Sequence, residues 1–344
     1  RRLTIPARST RRVILDLDDY VCGYPSLVTT GGAGATVGMH WAESLFDPVF
    51  EKNELAGWWS LKHKGDRNVV DGKYFAGNGE EYITDGGPSR LFDTLWWSAG
   101  RYIEMVIRTL DQPLIIESLT INQTHFPYDW SAHFESSDRR LSDVIPMAQR
   151  VMEMCSHETY MDCPYYEQLM YVGDTRLEVL VGYAWTNDDR LPRKAIDQFD
   201  RSRKHPGFTQ SRYPCRIEQT IPPFSLWWVG MVHDFMMWRG DRDFVRAKLP
   251  GMHSVLDAFH TCLNHDGLIE APNGWNFVDW VRTWKNGMPV SADTGVSGPV
   301  NFHMICTLRM ASQIEAWAGE PELSAMYARR ADTLARSCEL FWDD

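Results

Sequence analysis

The residues Asp162-Cys163-Pro164-Tyr165-Tyr166-Glu167-Gln168-Leu169-Met170-Tyr171-Val172-Gly173-Asp174 place three carboxylates and three tyrosines within thirteen positions. Such a stretch suits a division of labour among acids. A carboxyl walled off by aromatic rings holds its proton to higher pH, while ionised neighbours accept hydrogen bonds. A protonated acid beside ionised ones is the equipment of glycoside cleavage. The same residues also suit a plainer role, because an Asp just ahead of a helix is commonly a cap. Pro164 pushes Cys163 towards an extended conformation, and Gly173 marks a second break. Thr175 and Glu178 have the Thr-x-x-Glu spacing of a capping box. Asp162, Glu167 and Asp174 are therefore expected on a loop that feeds a helix start.

The pattern Asp162-Cys163-Pro164-x-x-Glu167-Gln168-Leu169-x-Tyr171-x-Gly173-Asp174 resembles the signature of the bacterial α-L-rhamnosidases of glycoside hydrolase family 78. The resemblance implies that Glu167 is the general acid protonating the leaving glycosidic oxygen. It also implies that Asp162 and Asp174 hold hydroxyls of the rhamnose ring. An ionised carboxylate is acceptor-only and takes sugar O–H donors in charge-assisted bonds, which are the stronger kind. Their charge in turn favours the protonated form of Glu167. Tyr171 stands where many members of the family carry Trp, so the aromatic wall is kept with a different ring.

The segment Gly274-Trp275-Asn276-Phe277-Val278-Asp279-Trp280 resembles a loop lining the sugar site in the same family. Trp275, Asp279 and Trp280 are its candidates for substrate contact, with capping and core packing as the alternative roles. Arg212 precedes the apolar helix that opens at Phe224, and an ordinary ion-pair arginine would look the same. His233 and His303 fall in apolar helical patterns and read as core histidines. The resemblance further implies inversion at the anomeric carbon, which needs a second carboxylate about 6.5–9.5 Å from the acid. In the family this base comes from a late part of the catalytic domain. No motif for it is present, and Glu270 and Asp279 are candidates only by default. No metal and no cofactor is expected.

The elements that must position these groups fall into two kinds. Up to about Asn122 the apolar residues have period two: Val13, Leu15 and Leu17 share one face, as do Ile103, Met105 and Ile107. Between them lie Gly31-Gly32-Ala33-Gly34, Asp71-Gly72, Gly77-Asn78-Gly79 and Asp85-Gly86-Gly87, which read as turns. This is the pattern of an antiparallel β-sandwich, expected over residues 1–130. Gly23-Tyr24-Pro25, Gly31-Gly32-Ala33-Gly34-Ala35 and Ala42-Glu43-Ser44-Leu45 resemble the sandwich that precedes the catalytic domain in the family, as does Trp97 with Arg101-Tyr102. From Asp138 the period becomes that of helices, through Leu141, Val144, Ile145, Ala148, Val151 and Met152. Further helices are expected at Thr175 to Thr186, Leu191 to Arg203, Phe224 to Arg239, Phe244 to Leu263, Val300 to Ala318 and Glu322 to Trp342.

That makes about seven helices over residues 131–344, where the resemblance implies an (α/α)6 barrel of twelve. The sequence begins Arg1-Arg2-Leu3 without a methionine. The expectation is an N-terminal and middle portion of a larger enzyme: a β-sandwich followed by an incomplete barrel, poorly active and marginally stable alone. Phe224-Ser225-Leu226-Trp227-Trp228-Val229-Gly230-Met231 is apolar nearly all round, as an inner-ring helix should be. A half-built barrel would leave Trp227, Trp228 and Met231 open to water.

A length of 344 residues suits two domains, and a formal charge of −11 argues against nucleic acid, which needs clustered Lys and Arg. No apolar run reaches membrane-spanning length. Seven scattered cysteines without a Cys-x-x-Cys pair suggest neither a zinc site nor a disulfide framework, and leave the compartment open. Fifteen Trp, 13 Tyr and 15 Phe supply faces for stacking on sugar rings, although most such residues fill cores. The expected partner is an L-rhamnose-containing oligosaccharide or glycoside. Two other readings remain: a barrel glycosidase acting on another deoxyhexose or a uronide, and a sugar-binding protein without catalysis.

Overall fold

Alternation along strands builds the first part of the chain, and helical amphipathicity builds the second. The computed structural model describes residues 2–52, 59–61 and 63–342. By contact density the chain divides into two compact units. One comprises Arg1–Phe126 with Cys163–Glu167, and the other Pro127–Asp162 with Gln168–Asp344.

In the β unit, strands β1 (Leu3–Ile5), β2 (Thr10–Gly31), β3 (Thr36–Ala42), β6 (Asn78–Ile83), β7 (Arg90–Asp93), β8 (Ser98–Arg108) and β9 (Leu114–Gln123) form one antiparallel sheet. A separate ladder pairs β4 (Phe50–Lys52) with β5 (Trp59–Leu61). The main sheet runs β1-β9-β2-β8-β3-β6, with β7 on β2. Strand β2 belongs to two runs. Its first half pairs with β8, its second half with β9 and β7, and the register shifts between Asp16 and Val21. There Asp18 takes a positive φ of 68° while its N–H donates to Asp16 Oδ1. Asp is among the few non-glycine residues that visit this region, and here the Asp16 carboxylate holds the turn.

The expected period-two faces meet across the ladder. Val37 opposes Ile107, Met39 opposes Met105 and Trp41 opposes Ile103, and all six are buried. Leu27, Leu114 and Ile116 from the other run pack into the same core. Each such side chain contributes about 1.5–3 kcal/mol by leaving water. Gly77-Asn78-Gly79, expected as a turn, instead leads into β6, whose first residue is Asn78. A Cβ on Gly79 would lie 1.8 Å from the Met39 carbonyl oxygen, so these glycines serve close approach of two strands.

In the helical unit the elements are α1 (Arg139–Met154), α2 (Val172–Trp185), α3 (Arg190–Arg201), α4 (Pro222–Arg239), α5 (Arg242–Arg246), α6 (Leu249–His260), α7 (Gly298–Ala318) and α8 (Pro321–Ser337). Their ends carry the expected chemistry. Proline opens α4, α6, α7 and α8; Gly240 and Gly319 close α4 and α7 at positive φ. Asp138 and Asp241 accept backbone N–H bonds as N-caps of α1 and α5. The helix expected from Phe244 to Leu263 forms in two pieces, because Pro250 starts a new helix at α6.

Helix α4 packs against both α2 and α7, and α8 lies along α7. Trp228 and Met231, expected open to water, are both 0% exposed. Trp228 faces α3, where its indole Nε1 donates to the Ile196 carbonyl at 3.1 Å. Much of the apolar surface of α4 is covered by neighbours already present in this unit, although Trp227 is only half-buried and Met237 and Trp238 are 67% and 50% exposed. Among the described residues no helix is long and apolar enough to cross a membrane.

Candidate active site

The division into two units falls inside the acid-rich stretch. Cys163–Glu167 is grouped with the β unit, where the Tyr165 hydroxyl donates to the Trp41 carbonyl at 2.9 Å and the ring packs on the core. Tyr166 sits edge-on to Tyr165, with Lys64 Nζ 5.0 Å from its ring centre. Glu167 ends this segment and is exposed, so the aromatic shielding expected around it is not found.

Asp162 and the residues from Gln168 onward belong to the helical unit. The Asp162 N–H donates to the Leu169 carbonyl at 2.9 Å, and Asp162 Oδ1 accepts from the Leu169 N–H at 3.0 Å. Backbone and carboxylate together thus clamp the chain that returns to α2. Helix α2 begins three residues earlier than Thr175, at Val172, with Tyr171 as its N-cap. Two expectations are corrected by this. Asp174 lies in the first helical turn rather than on a loop, where the helix N-terminus favours negative charge. Thr175 and Glu178 form no capping box, since Thr175 is inside the helix. Gly173 continues the helix: a Cβ there would come 2.9 Å from the Phe224 ring at the start of α4.

Tyr171 is held from both sides. A backbone bridge pairs it with Arg212, and Arg212 Nη1 donates to the Tyr171 hydroxyl at 2.5 Å. Arg212 is therefore a partner of the candidate wall rather than a loose surface cation. From Tyr171 a run of rings leads to the second candidate loop. Tyr171 meets Phe224 edge-on at 6.4 Å, Phe224 meets Phe277 at 5.8 Å, and Phe277 meets Trp275 and Trp280 at 4.8 and 5.1 Å. The Trp275 N–H donates to the Thr220 carbonyl at 3.0 Å, and its indole donates to the Asn286 carbonyl at 3.1 Å. Trp280 is 72% exposed, a large apolar face left for something to stack on. Asp279 is exposed as well, and its Oδ1 accepts the Trp280 N–H at 2.6 Å, which ties the carboxylate to its own turn. Glu270 is exposed in a backbone bridge with Val296.

Two groups with shifted proton affinity escaped the sequence reading. Glu178 is held protonated to well above the usual carboxyl range, first by burial and then by the charges of Asp174 and Asp162. The spacing of four from Asp174 on a helix was the available signal. His303 is pushed down to about 3 by burial and by Arg176. Its ring lies 4.1 Å from Trp227, over which the Arg176 guanidinium sits at 4.7 Å. Arg176 pairs with Asp234 at 2.8 Å, both largely buried. Burial would raise the Asp234 carboxyl, but bonds from His233 and Arg176 outweigh it and hold it low. His233 Nε2 meets Gln313 Oε1 at 2.6 Å.

Residues 129–339 match the family model described as the bacterial alpha-L-rhamnosidase 6 hairpin glycosidase domain. Among solved structures, the fold is similar to a GH78 rhamnosidase of Bacillus sp. GL1, with a TM-score of 0.80, 21% identity, and coverage of 99% of this chain and 33% of that one. A rhamnosidase from Klebsiella oxytoca with rhamnose bound aligns at a TM-score of 0.77 and 18% identity, over 98% of this chain and 64% of that one. An α-L-rhamnosidase of Streptomyces avermitilis complexed with L-rhamnose aligns at 0.65 and 16%, over 99% and 31%. The chain thus spans from about a third to under two thirds of these proteins. Nothing among curated proteins matches the sequence.

Proposed function

The chain belongs to the bacterial α-L-rhamnosidase six-hairpin glycosidase family, and from that premise we propose that it serves the hydrolysis of terminal α-L-rhamnose from glycosides or polysaccharides, with inversion. Glu167 is the general acid, and its exposure leaves it free to meet a leaving oxygen. Asp162 and Asp174 accept hydroxyls of the rhamnose ring. The observation that carries this reading is the pair of carboxylates at the entrance to α2, both felt by Glu178, in the same unit as the run of rings from Tyr171 to Trp280. Charged acceptors suit the hydroxyls of a neutral sugar, and aromatic faces suit its apolar side. Tyr171, Trp275 and Trp280 form the stacking wall, and Asp279 lies on the same loop as the two tryptophans.

In this reading the β unit is the sandwich and the helical unit the early part of an (α/α)6 barrel, divided near residue 130. Protonation of the departing oxygen by Glu167 neutralises the charge that develops there as the glycosidic bond lengthens. In the same displacement a water that has given its proton to a second carboxylate attacks the opposite face of the anomeric carbon, giving the β-anomer first. Neither Glu270 nor Asp279 carries an observation that assigns it this second role.

The test is a panel of nitrophenyl glycosides, followed by NMR of the released sugar in the full protein. Activity confined to the α-L-rhamnoside, with β-rhamnose appearing first, is the expected result. Glu167→Gln is expected to lower turnover of natural rhamnosides by roughly 10²–10⁴-fold. Its effect should be much smaller on nitrophenyl rhamnoside, whose leaving group departs without a proton. Equal losses on both substrates would remove Glu167 from the acid's role. Asp162→Asn and Asp174→Asn should instead weaken every rhamnoside alike.

A further inference from the structure

Two segments of the helical unit frame the run of rings from Tyr171 to Trp280, and their charges do not balance. Residues 211–213 are laced to the stretch that opens α2: the Val172 N–H donates to the Ser211 carbonyl at 2.9 Å, and the Tyr213 N–H to the Met170 carbonyl at 3.2 Å. The loop 275–288 joins the end of that segment through the Trp275 N–H on the Thr220 carbonyl, and closes on itself where Val278 and Asp279 both donate to the Gly287 carbonyl. Gly287 holds a positive φ of 69°, and a Cβ there would run into the Phe277 ring, so the shape of the loop is tied to the rings. Arg212, Arg216, Arg282 and Lys285 stand on these segments, and among the described residues none of them pairs with a carboxylate. The acids beside them are engaged elsewhere: Glu218 with Lys204, and Asp279 with the Trp280 N–H. The result is a positive surface on a chain of formal charge −11.

Arg212 is the cation that touches the candidate sugar wall. Its Nη1 donates to the Tyr171 hydroxyl at 2.5 Å, and its guanidinium lies 5.4 Å from the centre of that ring. The side chain is half-buried, and its Nε is shut off from solvent with no acceptor among the described residues. Other half-buried arginines of the unit are matched: Arg176 has Asp234, Arg193 has Asp189 and Asp241, and Arg203 has Asp200. Arg239, which has no carboxylate, donates to the Thr186 carbonyl at the end of α2. A guanidinium carries five N–H donors in a fork that fits a carboxylate, and drawing it partly out of water against a neutral phenol is unfavourable. Tyr171 accounts for one donor, and rhamnose, a neutral sugar, brings no anion. The missing anion then falls to the residue that carries the rhamnose.

We propose that Arg212 selects acidic rhamnosides, holding the carboxylate of a uronic acid to which the rhamnose is linked. The inference rests on the rhamnose reading for the sugar that Arg212 flanks. Arg216, Arg282 and Lys285 extend the positive field along the two segments, and the exposed face of Trp280 is open to the sugars of the same chain. Charge thus divides the substrate: Asp162 and Asp174 take hydroxyls of the neutral sugar, and Arg212 takes the anion next to it.

The test uses the full protein, an α-L-rhamnosyl uronic acid disaccharide, and the same disaccharide with its carboxyl reduced to the alcohol. The wild type is expected to show a kcat/KM about tenfold higher on the acid, carried by KM, and the preference should shrink as salt is raised. Arg212→Gln also removes the bond to Tyr171, so its effect is read as the ratio of the two substrates. Disturbance of the wall lowers both alike, whereas loss of the cation lowers the acid alone and brings the ratio to about one. Arg212→Lys, which keeps the charge without the fork, should restore part of the preference. Equal kcat/KM on the two disaccharides in the wild type, a preference that survives in Arg212→Gln, or turnover of nitrophenyl α-L-rhamnoside with none of the acid would overturn the inference and leave the rhamnoside reading standing. Failure of the wild type on all three substrates would overturn that reading, and this inference with it.

Discussion

The two units bury different kinds of polar group. Among the described residues, the fully buried polar side chains of the β unit are Thr29, Ser44, Thr84, Thr94 and Thr109. All are hydroxyls, and a hydroxyl can settle on one nearby carbonyl, as Thr84 does on Gly32 and Thr109 on Pro6. The helical unit buries Asp234, Lys248, Asn276, Asn301 and Glu315 as well. The charged ones have charged or titratable partners, Arg176 for Asp234, Asp197 for Lys248 and His253 for Glu315, while Asn276 and Asn301 donate to the Pro272 and Ile269 carbonyls. Buried hydroxyls do not titrate near neutral pH, whereas a helical core held partly by charge pairing responds to it. These buried pairs lie in the same unit as Asp162 and Asp174.

The comparison can be broken first at Asp234. Asp234→Ala leaves the Arg176 guanidinium buried and unpaired, and should cost about 3–5 kcal/mol. Hydrogen exchange at the amides of α4 would report it, and a cost under about 1 kcal/mol would mean that the buried pair is not holding this core. The second test is the acid limb at His303. Unfolded histidine takes its proton near 6.5, whereas the folded chain refuses it until about 3. The unfolded state thus binds more protons across that window, and stability falls as pH drops through it, by up to about 1.4 kcal/mol per unit. Above the window His303 contributes no slope. His303→Gln should flatten the dependence in urea titrations of the helical unit and leave that of the β unit as it was. Glu178 acts in the opposite direction. Its folded pKa is raised, so stability declines as pH rises from the ordinary carboxyl range through the elevated one, and Glu178→Gln should remove that decline. The smallest effect belongs to the β unit: Arg12, exposed in its pair with Glu104, should cost below about 1 kcal/mol as Arg12→Ala in thermal melts.

Much of the architecture could be read from the sequence because periodicity survives averaging. Ile103, Met105 and Ile107 had to face one way in any strand, and Pro222, Gly240, Pro321 and Gly319 mark helix ends by backbone chemistry that acts locally. What failed was local reasoning about residues whose role is tertiary. Gly173 reads as a break but is the space that the Phe224 ring needs. Gly79 reads as a turn but lies against the Met39 carbonyl. The apolar surface of α4 announces burial without naming its cover, so Trp228 and Met231 were expected bare when α3 and its neighbours already enclose them. In the candidate site, the acids and the tryptophan loop stood out by type and spacing. The ring run that joins Tyr171 to Trp280 did not, because Phe224 and Phe277 look like ordinary core residues until their partners are known. The shielded acid was sought at Glu167 and found at Glu178, since burial depends on chain far away in sequence.

The long second strand has a consequence for the order of events in synthesis. Thr10 must find Arg108, Thr36 must find that same arginine, and Gly31 must find Leu114. No interior strand of the sheet can be completed until β8 and β9 have left the ribosome. Contacts of such sequence separation carry a large loop-closure penalty before they return any stabilisation, which slows folding. During that wait β2 and β3 are exposed together with their apolar faces, including Leu27, Met39 and Trp41. Unpaired edges of this kind invite pairing with other chains. The β unit should therefore be the point at which nascent chains need a chaperone, although it is the part whose finished core is the simpler of the two.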